Sequence, residues 1–330
     1  MNFQNELRVY FQGEGFISDT FPHKKLRKKL RSVLGPKRHD HQMDTSDALS
    51  EGLATNQELY ELMTGPLEAN LLMSFQLEHM VSNYSEIYRL MIPEIVDGCE
   101  IIELGCYTGS FSRWLASKHP EISVVGIDRV SWLPKCNKSE DPINHKLINC
   151  GYEEAASLIP KSDVLFGSFP IDFKDRVDED LDIRWKNSGC EPSTLTSGVL
   201  QCLKEGLFPH HPAFHTVVTR DLFKDWHSGD NNVYVEEAFT YFDCWAQVST
   251  SAATLVVSLR IPDIFHLCAV LNGAAKCGWF FDLRKSCEVT VGEEVYPLLV
   301  FSRGSVEEDE VCGAALCEWW INTHASQSID

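Results

Sequence analysis

No stretch of this 330-residue chain approaches the ~20 uninterrupted apolar residues of a membrane span. Its opening, Met-Asn-Phe-Gln-Asn-Glu, lacks a charged-then-apolar leader pattern, so the expected location is the cytoplasm. Twelve cysteines form no CxxC pair, and Cys312 and Cys317 are the nearest two. Thiols so scattered, several of them in apolar runs such as those of Cys268 and Cys277, read as buried and reduced. His210, His211 and His215 do cluster, but Pro212 splits them and no cysteine or acid stands at ligand spacing. No metal is therefore expected. Cations are scarce, with 29 Lys and Arg against 48 Asp and Glu and a net charge of −19. Residues 1–40 hold nine of the cations and four of the acids, a balance of +5 that leaves −24 for the remainder. So acidic a body repels phosphate backbones, which argues against a large nucleic-acid substrate gripped by the core. The basic arm 22–38 is the exception.

What the chain does have is apolar content, 44%, enough for a large α/β domain with additions or for two domains. Its most informative stretch is Ile101-Ile102-Glu103-Leu104-Gly105-Cys106-Tyr107-Thr108-Gly109. An apolar run ends in an acid, and glycines follow at the second and sixth positions after it. A strand that ends this way turns tightly, lets a ligand approach the backbone, and aims the N–H groups of the next helix at it. That helix is expected near Ser110–Ser117. Val124-Val125-Gly126-Ile127-Asp128 is a second apolar strand ending in an acid, 19 positions after Gly109. Asp128 is thus well placed for the two ribose hydroxyls of an adenosine-type ligand. The spacing is not the G-x-G-x-x-G of a dehydrogenase.

These residues resemble the class I S-adenosylmethionine (SAM)-dependent methyltransferases, whose first motif is an acid, any residue, then Gly-x-Gly-x-Gly. Glu103, Gly105 and Gly109 match, and Tyr107 replaces the middle glycine. The resemblance implies SAM as cofactor, with Glu103 near the methionine ammonium and Asp128 on the ribose. Tyr107 either lines the pocket or narrows it. Cys150 and Gly151 stand where the family places an adenine contact, though the usual acid is absent and Tyr152 takes its place.

Alternation of strands and helices from Glu100 onward signals a parallel sheet. Strands are expected near Glu100–Gly105, Ser123–Asp128, His145–Asn149, Asp163–Phe169 and Ala253–Ile261. Helices are expected near Glu153–Ile159, Glu236–Ser249 and Pro262–Lys276. Two final strands, Trp279–Lys285 and Val295–Ser302, are separated by only Cys287–Glu294, too short for a crossover, and must pair antiparallel. This is the Rossmann-like, seven-stranded methyltransferase arrangement, order 3-2-1-4-5-7-6, ending in a reversed hairpin. The domain reading is a basic arm and helical cap over 1–95, a methyltransferase core over 96–303 and a tail over 304–330. An insertion at about 172–232 follows the fourth strand and is expected to act as an acceptor-binding lid. The tail's Glu307–Glu310 run suits a helix start, and Trp319-Trp320 would dock it.

Pro22–Leu34 reads as a short basic amphipathic helix, with Leu26, Leu30, Val33 and Leu34 on one face. Its own body, a membrane surface, RNA or a partner are all open to it. Gly35-Pro36 stops it, and a polar linker is expected from Lys37 to about Thr55. After Pro66 comes an amphipathic helix or helix pair through Met91. The resemblance would have these helices cover the cofactor and help build the acceptor site.

Methyl transfer is an in-line displacement that depends mainly on positioning, so the cofactor is more legible than the catalyst. The fourth strand ends Gly167-Ser168-Phe169-Pro170-Ile171-Asp172, which matches none of the nucleic-acid methyltransferase signatures. Ser168 and Asp172 are the candidates on the acceptor side. The first functional reading is a SAM-dependent methyltransferase with a small-molecule acceptor. The alternatives are an RNA- or protein-directed methyltransferase docking through the basic arm, and a non-catalytic SAM-fold binding or regulatory protein.

Overall fold

A computed structural model describes residues 3–17, 22–50, 53–171, 200, 204, 233–259, 264–291 and 294–304. The chain divides into two compact units, Met1–Pro170 and Ile171–Asp330.

Four parallel strands form the sheet of the first unit: β1 Glu100–Leu104, β2 Ser123–Asp128, β3 His145–Asn149 and β4 Ser162–Ser168. Their order is β3-β2-β1-β4. Parallel strands covered on both faces are apolar throughout. Ile101, Ile102 and Leu104 of β1 and Val124, Val125 and Ile127 of β2 are accordingly all buried. Two of the covering helices are α7 Ser110–Lys118, between β1 and β2, and α8 Tyr152–Leu158, between β3 and β4. Because β2 and β4 lie on opposite sides of β1, the chain reverses direction there. That leaves a crevice at the carboxyl ends of β1 and β4.

Among the described residues six α-helices precede the sheet: α1 Phe3–Gly13, α2 His23–Leu34, α3 Pro36–Ser50, α4 Asn56–Glu61, α5 Pro66–Met73 and α6 Leu77–Met91. The basic amphipathic helix is α2. It buries Leu26, Leu30 and Leu34 and ends at Gly35, whose φ of +77° suits glycine. The polar linker expected after Gly35 is instead mostly α3. Pro36 is preset for a first helical turn; Arg38 ties α3 to Glu68 and to the Leu62 carbonyl, and the residues it buries are the polar Gln42 and His39. A helix docked through such residues shows no apolar stripe. The α5–α6 pair conforms to the expected helix pair, although Leu67 is exposed. Leu77, Val81, Tyr84, Ile87 and Met91 form the buried face of α6.

In the second unit, α9 Val233–Gln247 and α10 Ile264–Lys276 pack together. The strands are β5 Ser249–Ser258, β6 Trp279–Phe281, β7 Cys287–Val291 and β8 Glu294–Arg303. β8 runs antiparallel between β5 and β6, pairing Val256 with Val300 and Phe281 with Phe301. The expected closing pair is therefore present, and each unit has the strand order of its half of the methyltransferase sheet. One correction applies. The presumed connection Cys287–Glu294 contains β7, which also pairs with β8, from Cys287–Leu298 to Val291–Glu294. The described strands thus number eight rather than seven. Ser286 bridges the break between β6 and β7, accepting from the Val300 N–H at 2.9 Å and donating to the Asp282 carbonyl at 2.7 Å. The segment Cys287-Glu288-Val289-Thr290-Val291 alternates apolar with polar residues, a strand signal the sequence does carry, although only Val289 is buried.

Of the expected insertion at 172–232, Leu200 and Lys204 alone are described. Asp172, the histidines at 210–215 and the tail beyond 304 lie outside the described residues. No described helix is long and apolar enough to cross a membrane, and no described group of three or more His, Cys, Asp or Glu is placed to hold a metal ion.

Candidate functional site

The site is built from four strand ends of the first unit. Leu104, the last residue of β1, pairs with Ile127, so Asp128 stands beside Gly105. Gly105 (φ +64°) turns the chain, and Gly109 (φ +65°) starts α7 as its N-cap. The Cys106 N–H donates to the Ile127 carbonyl at 3.0 Å and holds the turn against β2. Asp128 closes the turn: Oδ2 accepts from the Tyr107 N–H at 2.8 Å and Oδ1 from the Val130 N–H at 3.1 Å. The surrounding protein pushes this carboxyl up to about 6, against the pull of those backbone donors. From β3, the Asn149 amide donates to the carbonyls of Asp128 and Val130, at 3.0 and 2.9 Å.

Glu103 lies beneath the turn and is fully buried. Its Oε1 accepts from the Tyr84 hydroxyl at 2.8 Å, and its Oε2 from the Ser112 N–H in the first turn of α7 at 3.0 Å. Burial raises its carboxyl to about 7, against both hydrogen bonds. Tyr84 stacks on Phe111 of α7, with ring centroids 4.2 Å apart. One acid thereby joins α6, β1 and α7. Fully buried beneath the turn, Glu103 presents no surface to a ligand in this conformation.

Tyr107, in the middle-glycine position, has φ +54°. Its ring packs edge-on to Tyr60 at 5.0 Å and to Trp132 at 5.2 Å, and its hydroxyl donates to the Ala69 carbonyl at 3.2 Å. The Trp132 indole N–H donates to the Tyr60 carbonyl at 2.9 Å. Leu26, Leu30 and Leu34 of α2 belong to the same cluster. The loop after β2 is tied to the helical layer as well, since Ser131 N donates to Glu61 at 2.9 Å and Lys135 Nζ to the Thr64 carbonyl at 2.9 Å. At Tyr107 the ring thus joins the helical layer to the turn.

Across the crevice, the Tyr152 hydroxyl donates to the Pro170 carbonyl at 2.6 Å. A Cβ at Gly105 would come within 3.1 Å of Pro170 Cα and 3.2 Å of the Tyr152 hydroxyl. The groove above Gly105 is therefore filled by these two residues. Phe169, just before Pro170, has φ +54°. Among the described residues, Tyr107 and Phe169 alone of the non-glycines have positive φ, and they stand at the carboxyl ends of β1 and β4. Left-handed backbone costs a non-glycine residue about 1–2 kcal/mol, and such strain concentrates at functional sites.

The other predicted residues are placed as follows. Cys150 is buried, its N–H donates to the Asp128 carbonyl at 3.1 Å, and burial pushes its thiol up to about 11. Gly151 is the N-cap of α8. Ser168 ends β4, with Asn83 Nδ2 at 3.5 Å from its hydroxyl; Asn83 is fully buried, and its Oδ1 has no partner among the described residues. Tyr84, Asn83 and Trp132 join the site with no motif to mark them, and Tyr152, which replaces the usual acid, does so through its hydroxyl. A hydroxyl-bearing or amide side chain inside a helical stripe gives no sign of which strand end it will meet.

A pocket of about 190 Å³ opens beside the start of α7, lined by Glu14, Asn70, Thr108, Arg113, Cys136 and Lys138 among others. It is smaller than the roughly 300–1,000 Å³ of ordinary ligand sites. Glu14, Asp141 and Lys138 already form ion pairs around Arg113.

No family model matches the chain, and no curated protein does. Among solved structures it is loosely similar to a magnesium protoporphyrin IX methyltransferase from Synechocystis with bound SAM (12% identity, covering 70% of this chain and 84% of that one, TM-score 0.40). A 16S rRNA adenine-N1 methyltransferase from Catenulisporales acidiphilia gives 13% identity, 68% and 93% coverage and a TM-score of 0.37. Precorrin-6y C5,15-methyltransferase from Geobacter metallireducens gives 11%, 69% and 88%, and 0.36. The fold rests on the strand order and registers themselves.

Proposed function

We propose that this protein is a SAM-dependent methyltransferase whose cofactor crevice is closed in the conformation described. The observation that supports this is the placement of Asp128 beside the glycine turn at the β1–β2 register, with the start of α7 immediately after. An acid, a tight turn and a helix N-terminus grouped at a switch point make a nucleoside site. A carboxylate has about four acceptor positions. Tyr107 and Val130 take two of those on Asp128 and the Arg129 backbone also bears on the carboxylate, which leaves an acceptor position for a ribose hydroxyl. The donor and acceptor set therefore suits SAM, whereas the room does not, because Tyr152 and Pro170 lie over Gly105. Binding then requires their hydrogen bond to open.

SAM bound there would supply an electrophilic methyl group. Asp128 would orient the ribose, and the Glu103–Tyr84 pair would hold the turn rigid from below. Cys150 and Gly151 would border the adenine, and Ser168 and Asp172 would face the acceptor. We read the acceptor as a small molecule, because the acidic body repels phosphate chains. The reading is tested by calorimetry with SAM and its demethylated product on wild type, Tyr152→Phe and Asp128→Ala. Binding by the first two and weaker binding by the third supports the proposal.

A second reading has its own support: the Tyr107 ring packed into the helical layer and the Tyr152–Pro170 bridge suit a SAM-fold protein that works as a binding partner without catalysis. If neither wild type nor Tyr152→Phe takes up SAM, this reading replaces the first.

A further inference from the structure

The exposed face of α2 is the one dense cationic surface in the described part of a chain with net charge −19. Lys24, Lys25, Arg27, Lys28, Lys29 and Arg31 are all exposed. Only Arg31 has an acid in range, Asp40 at 3.8 Å; the other five make no ion pair among the described residues. At about 100° per residue these cations cover roughly 200° of the helix surface within about 10 Å of its length. The remaining arc, with Leu26, Leu30 and Leu34, is buried in the body, against the same cluster that holds Trp132 and Tyr107. The helix is thus rigidly mounted, and its charge is left without a counterpart.

We propose that this face is a docking surface for single-stranded RNA, gripped through its phosphates. The proposal goes beyond the methyltransferase reading and is independent of it. Three observations select the occupant. The apolar face of α2 is already used, so nothing is left to insert into a bilayer as interfacial helices do. The surface is a narrow convex ridge on a unit whose residues 41–170 hold 19 Asp and Glu against 8 Lys and Arg. A flat anionic membrane would have to approach those acids too, whereas a flexible strand can follow the ridge alone. Finally, the face is a row of Lys and Arg with no Phe, Tyr or Trp to stack a base, so contact would rest on phosphates. Docked there, RNA would tether the protein and stay outside the crevice.

The test is fluorescence anisotropy of a labelled twelve-nucleotide oligouridylate with the full chain and no cofactor, so that failure here and failure to bind SAM are separate results. About four phosphate contacts predict a log–log salt slope near −2.8, which is about a 50-fold loss of affinity between 50 and 200 mM salt. The quadruple variant Lys24→Gln, Lys25→Gln, Lys28→Gln, Lys29→Gln should lose most of the binding and keep its thermal midpoint, since Leu26, Leu30 and Leu34 are untouched. The proposal is overturned by absence of binding at 50 mM salt, or by equal binding in the variant. It is overturned as well if oligoglutamate of equal charge competes as well as RNA, or if the chain sediments with phosphatidylserine vesicles but does not bind the oligonucleotide.

Discussion

The Tyr152 hydroxyl reaches the Pro170 carbonyl across Gly105, joining the residues that follow β3 and β4 by a 2.6 Å hydrogen bond over the end of β1. If this bond must break before SAM enters, Tyr152→Phe should bind SAM more tightly than wild type. A net hydrogen bond of about 0.5–1.5 kcal/mol corresponds to roughly a 2- to 12-fold gain. Calorimetry checks it, and weaker binding by the Phe variant would show that the hydroxyl contacts ligand and is not a latch.

Asp128 serves the turn before any ligand arrives, since it accepts from the Tyr107 and Val130 N–H groups. Asp128→Ala should therefore weaken SAM binding by about 1.5–3 kcal/mol, the scale of hydrogen bonds to a charged group, and lower the thermal midpoint as well. Asp128→Asn retains one acceptor oxygen and should fall between. A folded Asp128→Ala protein with wild-type affinity would place the ribose elsewhere.

Burial lifts the Glu103 carboxyl from its ordinary 4.5 to about 7. An acid raised in the folded state holds protons that the unfolded chain has already released. Its favourable contribution is complete below about 4.5 and is lost as pH rises through 7. Asp128, raised from 3.8 to about 6, acts in the same direction. His145, lowered from 6.5 to about 4 by burial and by Arg113, acts in the opposite one, losing stability as pH falls from 6.5 through 4. Thermal midpoints of wild type and Glu103→Gln measured from pH 4 to 8 should thus diverge, with the variant gaining relative to wild type between 4.5 and 7. A constant difference across that range would mean Glu103 is ionised in the fold.

Tyr107→Gly restores the residue the family usually carries. It relieves left-handed strain of about 1–2 kcal/mol but removes a ring packed on Tyr60 and Trp132 and a hydrogen bond to Ala69. Losing a buried aromatic ring costs about 3–5 kcal/mol, less for one only partly buried. The variant should be less stable by about 1–3 kcal/mol, as read by chemical denaturation. A more stable variant would mean that the ring does not anchor the helical layer.

The sequence by itself determined the parallel sheet and the strand ends that face the crevice. Strands covered on both faces must be apolar along their length, so Ile101–Leu104 and Val124–Ile127 declare themselves, and the acids and glycines at their ends mark where the chain turns. The closing antiparallel pair was legible from connection length alone, because so short a link cannot cross over. α3 was not legible, since it buries Gln42 and His39 and shows no apolar stripe; β7 carries the alternation Cys287-Glu288-Val289-Thr290-Val291, but at five residues it is short enough to resemble a link between two strands. Which partner each site residue takes was decided only in three dimensions. Glu103 meets Tyr84, Tyr107 meets Tyr60 and Trp132, and Tyr152 meets Pro170, all across 18 to 47 positions of chain. Local pattern records which face of an element is buried, while the partner of a polar group depends on which distant element that face is packed against.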